Sequence, residues 1–415
     1  MSSFKDRVVK IISNYGNYIL WTIASLLFVF LIYHIVSSST KSTHGFASYY
    51  TASRLFLNGE SISNFYNDDW FSSKVGEYVP GVYEIYLVNM PTTVFITLPL
   101  SIFEYKVARI LWITINFLLL IFTVVLIVKK LKLNHHWLPL VLIIILAFQP
   151  LYANFSYAQI YIFIFFLMVF VWFAYKSDNQ KLLGVLLGIL FMLKTAGVLL
   201  WLLLVIQKKW KSLIWIIITV VGAFLITLPF VEIDSWSAYS NRVIGHSSNP
   251  TLAVTAYQTI YSLFHHLFMF DENWNLYPVA DIPILAISLT IIFSFVVLII
   301  TGFSAIKLNL KDLAFASFII AGTILNPASI DYHFILLLIP IIISIDLIIK
   351  NPSKFLWVLF FISYTLIALK LPYTSSKMTE GMIAIFAYPK LYGAIGLLIL
   401  CLLLSSRSKN EVSGN

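Results

Sequence analysis

Residues 107–132 read VARILWITINFLLLIFTVVLIVKKLK. From 107 to 128 the run is apolar apart from Arg109, Asn116 and a few threonines, and Lys129, Lys130 and Lys132 close it. A helix rises about 1.5 Å per residue, so about 20 apolar residues cross the ~30 Å hydrocarbon layer of a bilayer. Lysines massed at one end of such a run mark the cytoplasmic side. The stretch is therefore expected to cross a membrane from outside to inside, and similar runs recur from Ile19 to Leu404.

Composition extends that reading to the whole chain. Of 415 residues, 60% are hydrophobic and 11% charged, and the mean hydropathy is +0.91. A soluble domain carries about 25% charged residues, so this chain lacks the charge to coat a surface in water. Its formal net charge of +9 does not point to nucleic acid. The basic residues lie in short clusters between apolar runs: Lys5, Arg7 and Lys10; Lys176 and Lys181; Lys208, Lys209 and Lys211; Lys307 and Lys311; Lys350 and Lys354; Arg407 and Lys409. That is a topology signal. The single cysteine, Cys401, excludes an internal disulfide framework.

The expected fold is all-α, a polytopic transmembrane bundle forming one membrane domain over 1–415, with about twelve membrane segments. The segments fall near 19–36, 107–128, 137–152, 159–175, 182–195, 196–207, 212–231, 283–304, 312–325, 332–349, 355–371 and 385–404. The first reads as a retained signal anchor, because no small-x-small cleavage site follows it. Alternation then puts both termini in the cytoplasm and leaves two long outer loops, 40–106 and 232–283. In the first, 47–57 and 91–103 read as helices lying on the outer interface. Most acidic residues fall on the outer side.

Ionisable residues at membrane depth are costly and therefore functional candidates. Lys194 sits between the apolar halves 182–195 and 196–207, suited to snorkel outward or to meet a lipid phosphate. Asp331 and His333, in NPASIDYHF (326–334), stand where proline and small residues break the helix. Exposed backbone at that depth is tolerated only in a protein-lined or watery pocket. Gln159 and Arg242 complete a polar set on the outer face. His135 with His136 and His265 with His266 lack acidic company at ligand spacing, so no metal and no cofactor is expected.

A series of short motifs follows in order: YYTASRLFLNG (49–59), Tyr66 with Asn67, NMPTT (89–93), LPL (98–100), ARILW (108–112), AQIY (158–161), Gly184 and Gly188 before Lys194, and NPASIDYHF (326–334). Taken together over about 40–335, the series resembles glycosyltransferase family 87, the polyprenyl-phosphate-mannose-dependent mannosyltransferase type of the GT-C superfamily. The resemblance implies a multi-pass enzyme of the plasma membrane. It would take a hexose, mannose above all, from a polyprenyl-phosphate donor to a lipid or glycan acceptor on the extracytoplasmic face, among membrane lipids. Lys194, Arg242, Asn89, Gln159, Asp331 and His333 are the expected substrate-binding residues, with Arg109 a further cation.

The resemblance also implies a carboxylate base four positions before Tyr49, where this chain has Gly45. Either His44 substitutes, or a later acid of the loop (Asp68, Asp69, Glu77 or Glu84) folds back; His44, Asp68 and Asp69 are the expected catalytic candidates. Two other readings share the topology: a relative that binds lipid-linked sugar without transferring it, and a flippase or transporter of lipid-linked glycan.

Overall fold

A computed structural model of the chain describes residues 4–413 apart from 88, 247–249 and 308–310, and excludes the side chains of 4–15, 246, 307 and 406–413. The clusters at Lys5, Arg7 and Lys10, at Arg407 and Lys409, and Lys307 thus lie outside the described side chains.

The described residues form helices joined by irregular segments, with no strand beyond one isolated bridge between Asp271 and Asn275. Five helices are long and apolar enough to cross a membrane: Gly16–Ser39, Tyr105–Leu131, Trp210–Thr227, Pro283–Ile306 and Asp331–Lys350. Two bent pairs raise the number to seven, Leu138–Leu146 with Gln149–Tyr157 at 48° and Gly381–Ala387 with Pro389–Ser405 at 51°. The expected count of about twelve is not reached on length and composition, for a physical reason. Interior helices such as Tyr161–Lys176 and Lys311–Leu325 stop short at breaks where protein, rather than lipid, surrounds the chain. Freed backbone groups are tolerated there because neighbouring segments satisfy them.

Burial sorts centre from periphery. The Asp331–Lys350 span is 72% buried, whereas Gly16–Ser39 is 17% buried and Trp210–Thr227 11%. The peripheral Trp210–Thr227 helix nevertheless packs closely on Gln180–Lys194, through Gly184 and Gly188. A Cβ on Gly184 would come within 2.4 Å of the Ser212 carbonyl, and one on Gly188 within 2.7 Å of the Thr219 Cβ. Small residues are what let two helix backbones approach this way. One end of the bundle, the end that carries the basic clusters, is pinned by ion pairs: Lys176 to Asp312 at 2.5 Å, Lys350 to Asp346 at 2.6 Å, and Lys209 to Asp178.

At the opposite end, residues 40–106 fold around a small core of their own, with Phe65, Phe71, Val75, Tyr86 and Val94 buried and Val231 added from just beyond the helix Trp210–Thr227. The segment 47–57 becomes the helix Phe46–Leu57, but nine of its residues are buried, so it does not lie on an interface with one face to lipid. Its polar positions are satisfied inward: Ser48 Oγ donates to the Ile85 carbonyl at 3.1 Å and Ser53 Oγ to the Val94 carbonyl at 2.6 Å. The segment 91–103 supplies only a turn, Pro91–Thr93, and the short helix Val94–Thr97.

Candidate active site

The site is built where two helix breaks meet. The first break follows Gln149–Tyr157, where Ala158 takes a left-handed backbone at φ +46°. The second is the irregular stretch before Asp331. Several side chains brace them. The buried Arg109 guanidinium donates to the carbonyls of Ser38 and Ser156, the latter at 2.7 Å. Trp112 Nε1 donates to the Ala158 carbonyl at 2.9 Å, and Asn154 Nδ2 to the Tyr332 carbonyl at 2.9 Å. Carbonyls released by a break are orphan acceptors, and these side chains satisfy them.

Two cavities lie on either side of the braced segments. The first, of about 300 Å³, is bounded by Lys194, His333 and Tyr161 at its polar part and by Met168, Leu200 and Phe318 elsewhere. The second, of about 530 Å³, is lined by His44, Gly45, Glu84, Gln159, Asp331 and Tyr373 among others. Neighbouring positions of the same two segments therefore open to different sides. Gln159 and Asp331 face the second cavity, Tyr161 and His333 the first.

Lys194 ends the helix Gln180–Lys194, and its position is held from the outer loop. Thr92 Oγ1 donates to the Met192 carbonyl at 2.6 Å and Thr93 Oγ1 to the Leu193 carbonyl at 3.2 Å, satisfying two acceptors that a helix C-terminus leaves open. The ammonium lies 5.6 Å from the centroid of the Tyr49 ring, and the Tyr49 hydroxyl donates to Gln159 Oε1 at 3.1 Å. Among the described residues Lys194 has no ion-pair partner within contact distance. His333 Nδ1 lies 3.1 Å from the Ile330 amide nitrogen and 3.3 Å from the Ile330 carbonyl oxygen, which fixes the ring beside the cavity.

Glu84 supplies a carboxylate beside Gly45. The Gly45 N–H donates to Glu84 Oε2 at 2.7 Å, and the Ile85 N–H to Oε1 at 3.2 Å. His44 Nδ1 lies 3.8 Å from the same Oε2, with 63% of its own side chain exposed. Burial raises the Glu84 carboxyl above the usual carboxylate range, against the lowering influence of the two amides, His44 and Lys194. Position 45 itself has no room for a side chain. Its φ is +84°, and a Cβ there would stand 2.5 Å from Gln159 Nε2 and 2.6 Å from the Tyr157 carbonyl oxygen.

Asp331 is held from behind. Tyr373 donates its hydroxyl to Asp331 Oδ1, and Gln149 Nε2 donates to Oδ2 at 3.2 Å. Lys390 Nζ, on a side chain with no exposure, stands 3.7 Å from Oδ1.

The structure thus brings His44, Gln159 and Asp331 to one cavity and Lys194 and His333 to the adjoining one. Asn89 is buried behind them, its Nδ2 donating to the Tyr86 carbonyl at 2.7 Å. Arg242, Asp68 and Asp69 line neither. Arg242 pairs with Asp68 at 2.5 Å, tying the helix Ile233–His246 to Asp68–Tyr78 beside a separate surface groove. Asp69 is exposed on the first turn of Asp68–Tyr78. Sequence reasoning passed over Lys390, although a lysine five residues inside the expected span 385–404 is the signal that singles out Lys194.

The chain is thus a helical membrane protein with a braced pair of helix breaks between an apolar cavity that holds a cation and a polar cavity that holds carboxylates. The model for glycosyltransferase family 87 matches residues 87–328, more than half of the chain. The chain belongs to that family and is a membrane glycosyltransferase. The matched stretch, 87–328, covers the first helix break, Lys194 and the start of the second break, but not Gly45, Glu84, Asp331 or His333. No curated protein and no solved structure matches the chain.

Proposed function

We propose that the enzyme transfers a hexose, mannose above all, from a polyprenyl-phosphate donor to a hydroxyl of a lipid or glycan acceptor on the extracytoplasmic face of the plasma membrane. Both termini are then cytoplasmic, and 40–106 and 232–283 are outer loops. The observation that carries this reading is the pair of cavities, one with an ammonium that has no ion-pair partner among the described residues, set among apolar walls, and one with a partly buried carboxylate.

A polyprenyl phosphate cannot leave the membrane, so its phosphate must meet a cation at headgroup depth while its chain lies along apolar side chains. Lys194 and the walls formed by Met168, Leu200 and Phe318 suit that division, with His333 lining the same cavity. During transfer the acceptor oxygen bonds to the anomeric carbon, the bond from that carbon to the phosphate oxygen breaks, and the phosphate keeps the electron pair. Negative charge grows on the phosphate, where a fixed cation stabilises it most. The hydroxyl proton passes to Glu84. A carboxyl raised by burial is a stronger base than an ordinary one, and the Gly45 and Ile85 amides fix its direction. Glu84, rather than His44, Asp68 or Asp69, is the base in this reading.

The test is transfer of labelled mannose from polyprenyl-phosphate mannose to membrane lipid extract by enzyme in lipid nanodiscs. Glu84→Gln should lower turnover by about 10²- to 10⁴-fold, and Lys194→Ala should lose both donor binding and turnover. Full transfer by Glu84→Gln would remove it as base. Donor bound but never consumed by the wild type would mark a binding protein or a flippase.

A further inference from the structure

We propose that the acceptor is an uncharged polyol, a sugar or sugar headgroup without phosphate, whose hydroxyls are held by Asp331, and that Lys390 orients this carboxylate from inside the bundle. This rests on the reading of the second cavity as the acceptor site and names what that site takes.

The argument begins with the chemistry of the cavity wall. Glu84 and Asp331 both line it, and a carboxylate can only accept hydrogen bonds. A polyol offers hydroxyl donors to both at once. A phosphate-bearing acceptor would instead place like charge against the pair. Of the cations near the cavity among the described residues, Lys370 and His44 are exposed at its edge. Lys390 stands behind Asp331 rather than on the wall. Its ammonium donates to the Ile367 carbonyl at 2.7 Å and to Gln149 Oε1 at 3.3 Å, so its hydrogens are directed into the protein. Lys194 belongs to the other cavity.

Lys390 is not there for packing alone. A buried ammonium is costly unless paired and hydrogen-bonded, and an apolar side chain would fill the space without that cost. The helix carrying it is tied at the same point, since the Lys390 N–H donates to Gln258 Oε1 at 3.1 Å. Its partner Asp331 keeps a quarter of its side chain exposed, and the cavity is where that exposure lies. Tyr373 and Gln149 occupy one lone-pair direction on each Asp331 oxygen. The remaining directions are left to the cavity. Lys390 is thus a positioning residue: it keeps Asp331 aimed, and touches no substrate itself.

The experiment uses enzyme in nanodiscs free of sugar-based detergent, with two probes, octyl mannoside and octyl mannoside 6-phosphate. Three readouts are taken: equilibrium binding of each probe, acceptor KM and kcat with polyprenyl-phosphate mannose, and slow hydrolysis of that donor without acceptor. The wild type should bind and use the neutral probe in preference to the phosphorylated one. Asp331→Asn, which preserves shape, should weaken binding of octyl mannoside and raise its KM by about ten- to a hundredfold. Lys390→Met should shift KM in the same direction, with kcat changed less. Glu84→Gln loses hydrolysis and transfer together, which separates failure of the catalytic reading from failure of this one. Equal or better binding of the phosphorylated probe would overturn the proposal, as would unchanged octyl mannoside binding in Asp331→Asn. Binding decides the matter even if the donor proves to be a different lipid-linked sugar. If Lys390→Met does not fold, Asp331→Asn alone decides it.

Discussion

Replacing Gly45 by alanine should cripple the enzyme although only a methyl group is added. The backbone there has φ +84° and ψ −86°, close to the classic γ-turn, a region strained for an L-residue by roughly 1–2 kcal/mol. The new Cβ would stand 2.5 Å from Gln159 Nε2 and 2.6 Å from the Tyr157 carbonyl oxygen. The amide end of Gln159 can swing aside. The carbonyl cannot, because the Tyr157 segment is held on either side by the bonds of Arg109 to Ser156 and of Trp112 to Ala158. Overpacking of this kind adds about 1–3 kcal/mol, so the total is about 2–5 kcal/mol. The chain can relieve it only by moving residue 45, which draws its N–H away from Glu84 Oε2, now 2.7 Å distant. Thermal unfolding in nanodiscs should therefore fall and transfer should fall with it. Gly45→Ala combined with Gln159→Ala should recover only part of the loss, since the carbonyl clash remains. By the same geometry, Gly45→Asp should not rescue Glu84→Gln, although it places a carboxylate at the position the family resemblance expects. A Gly45→Ala enzyme with wild-type melting and wild-type transfer would refute this reasoning, and an active Gly45→Asp, Glu84→Gln double variant would refute the assignment of the base.

Transfer should decline as pH falls, because Glu84 serves as base only when ionised and burial holds its carboxyl above the usual range; the midpoint of the acid limb should lie above the ~4.3 of an ordinary glutamate. An acid limb at the ordinary value would point to a different group. Because a raised carboxyl disfavours the ionised native state at neutral pH, Glu84→Gln should lose activity without lowering the melting temperature there. Thr92→Val removes the 2.6 Å bond to the Met192 carbonyl, costs about 1 kcal/mol, and should weaken donor binding more than acceptor KM; unchanged donor binding would detach this loop from the placement of Lys194. Arg242→Ala breaks the pair with Asp68, which at its partial exposure is worth about 1 kcal/mol or less, and should leave transfer largely intact; a loss as deep as that of Lys194→Ala would return Arg242 to the donor phosphate.

Much of the fold is legible because the bilayer imposes length and apolarity at once. Residues 107–128 fall within the helix Tyr105–Leu131, and 283–304 within Pro283–Ile306. The number of spans is less legible because that rule binds only helices facing lipid. Tyr161–Lys176 and Lys311–Leu325 have mostly buried surfaces, and a helix surrounded by protein can end wherever a neighbour satisfies its free carbonyls. The site shows the same division. Lys194 and Asp331 stand out in the sequence because ionisable groups are conspicuous among apolar ones. What distinguishes Glu84 from Asp68, Asp69 and Glu77 is a contact to an amide 39 residues earlier, and no local pattern encodes that. The pairing of Asp68 with Arg242 spans 174 residues and removes both from the set for the same reason.

The short motifs that carry the family resemblance also take on a different meaning once their contacts are known. Arg109 and Trp112, together with Asn154 from outside those motifs, bond to backbone carbonyls at or beside the two helix breaks, Thr92 and Thr93 bond to the last carbonyls of the helix that ends at Lys194, and none of the five lines either cavity. Each bond alone contributes only about 0.5–3 kcal/mol. Their joint effect is geometric: they hold two non-helical segments edge to edge at a depth where loose backbone would otherwise be unsatisfied. With the segments fixed, residues two positions apart can face opposite ways, Gln159 and Asp331 toward one cavity and Tyr161 and His333 toward the other. A partition one chain thick is what a transfer between a lipid-bound donor and a polar acceptor requires. On the proposed reading, the phosphate stays among apolar side chains beside Lys194 while the anomeric carbon comes within reach of a hydroxyl directed by Glu84 and Asp331. A thicker wall would keep the reacting atoms beyond the ~3–3.5 Å of a near-attack geometry. On this argument the bracing residues are as necessary to turnover as Lys194, and they act by fixing the backbone that separates the two substrates.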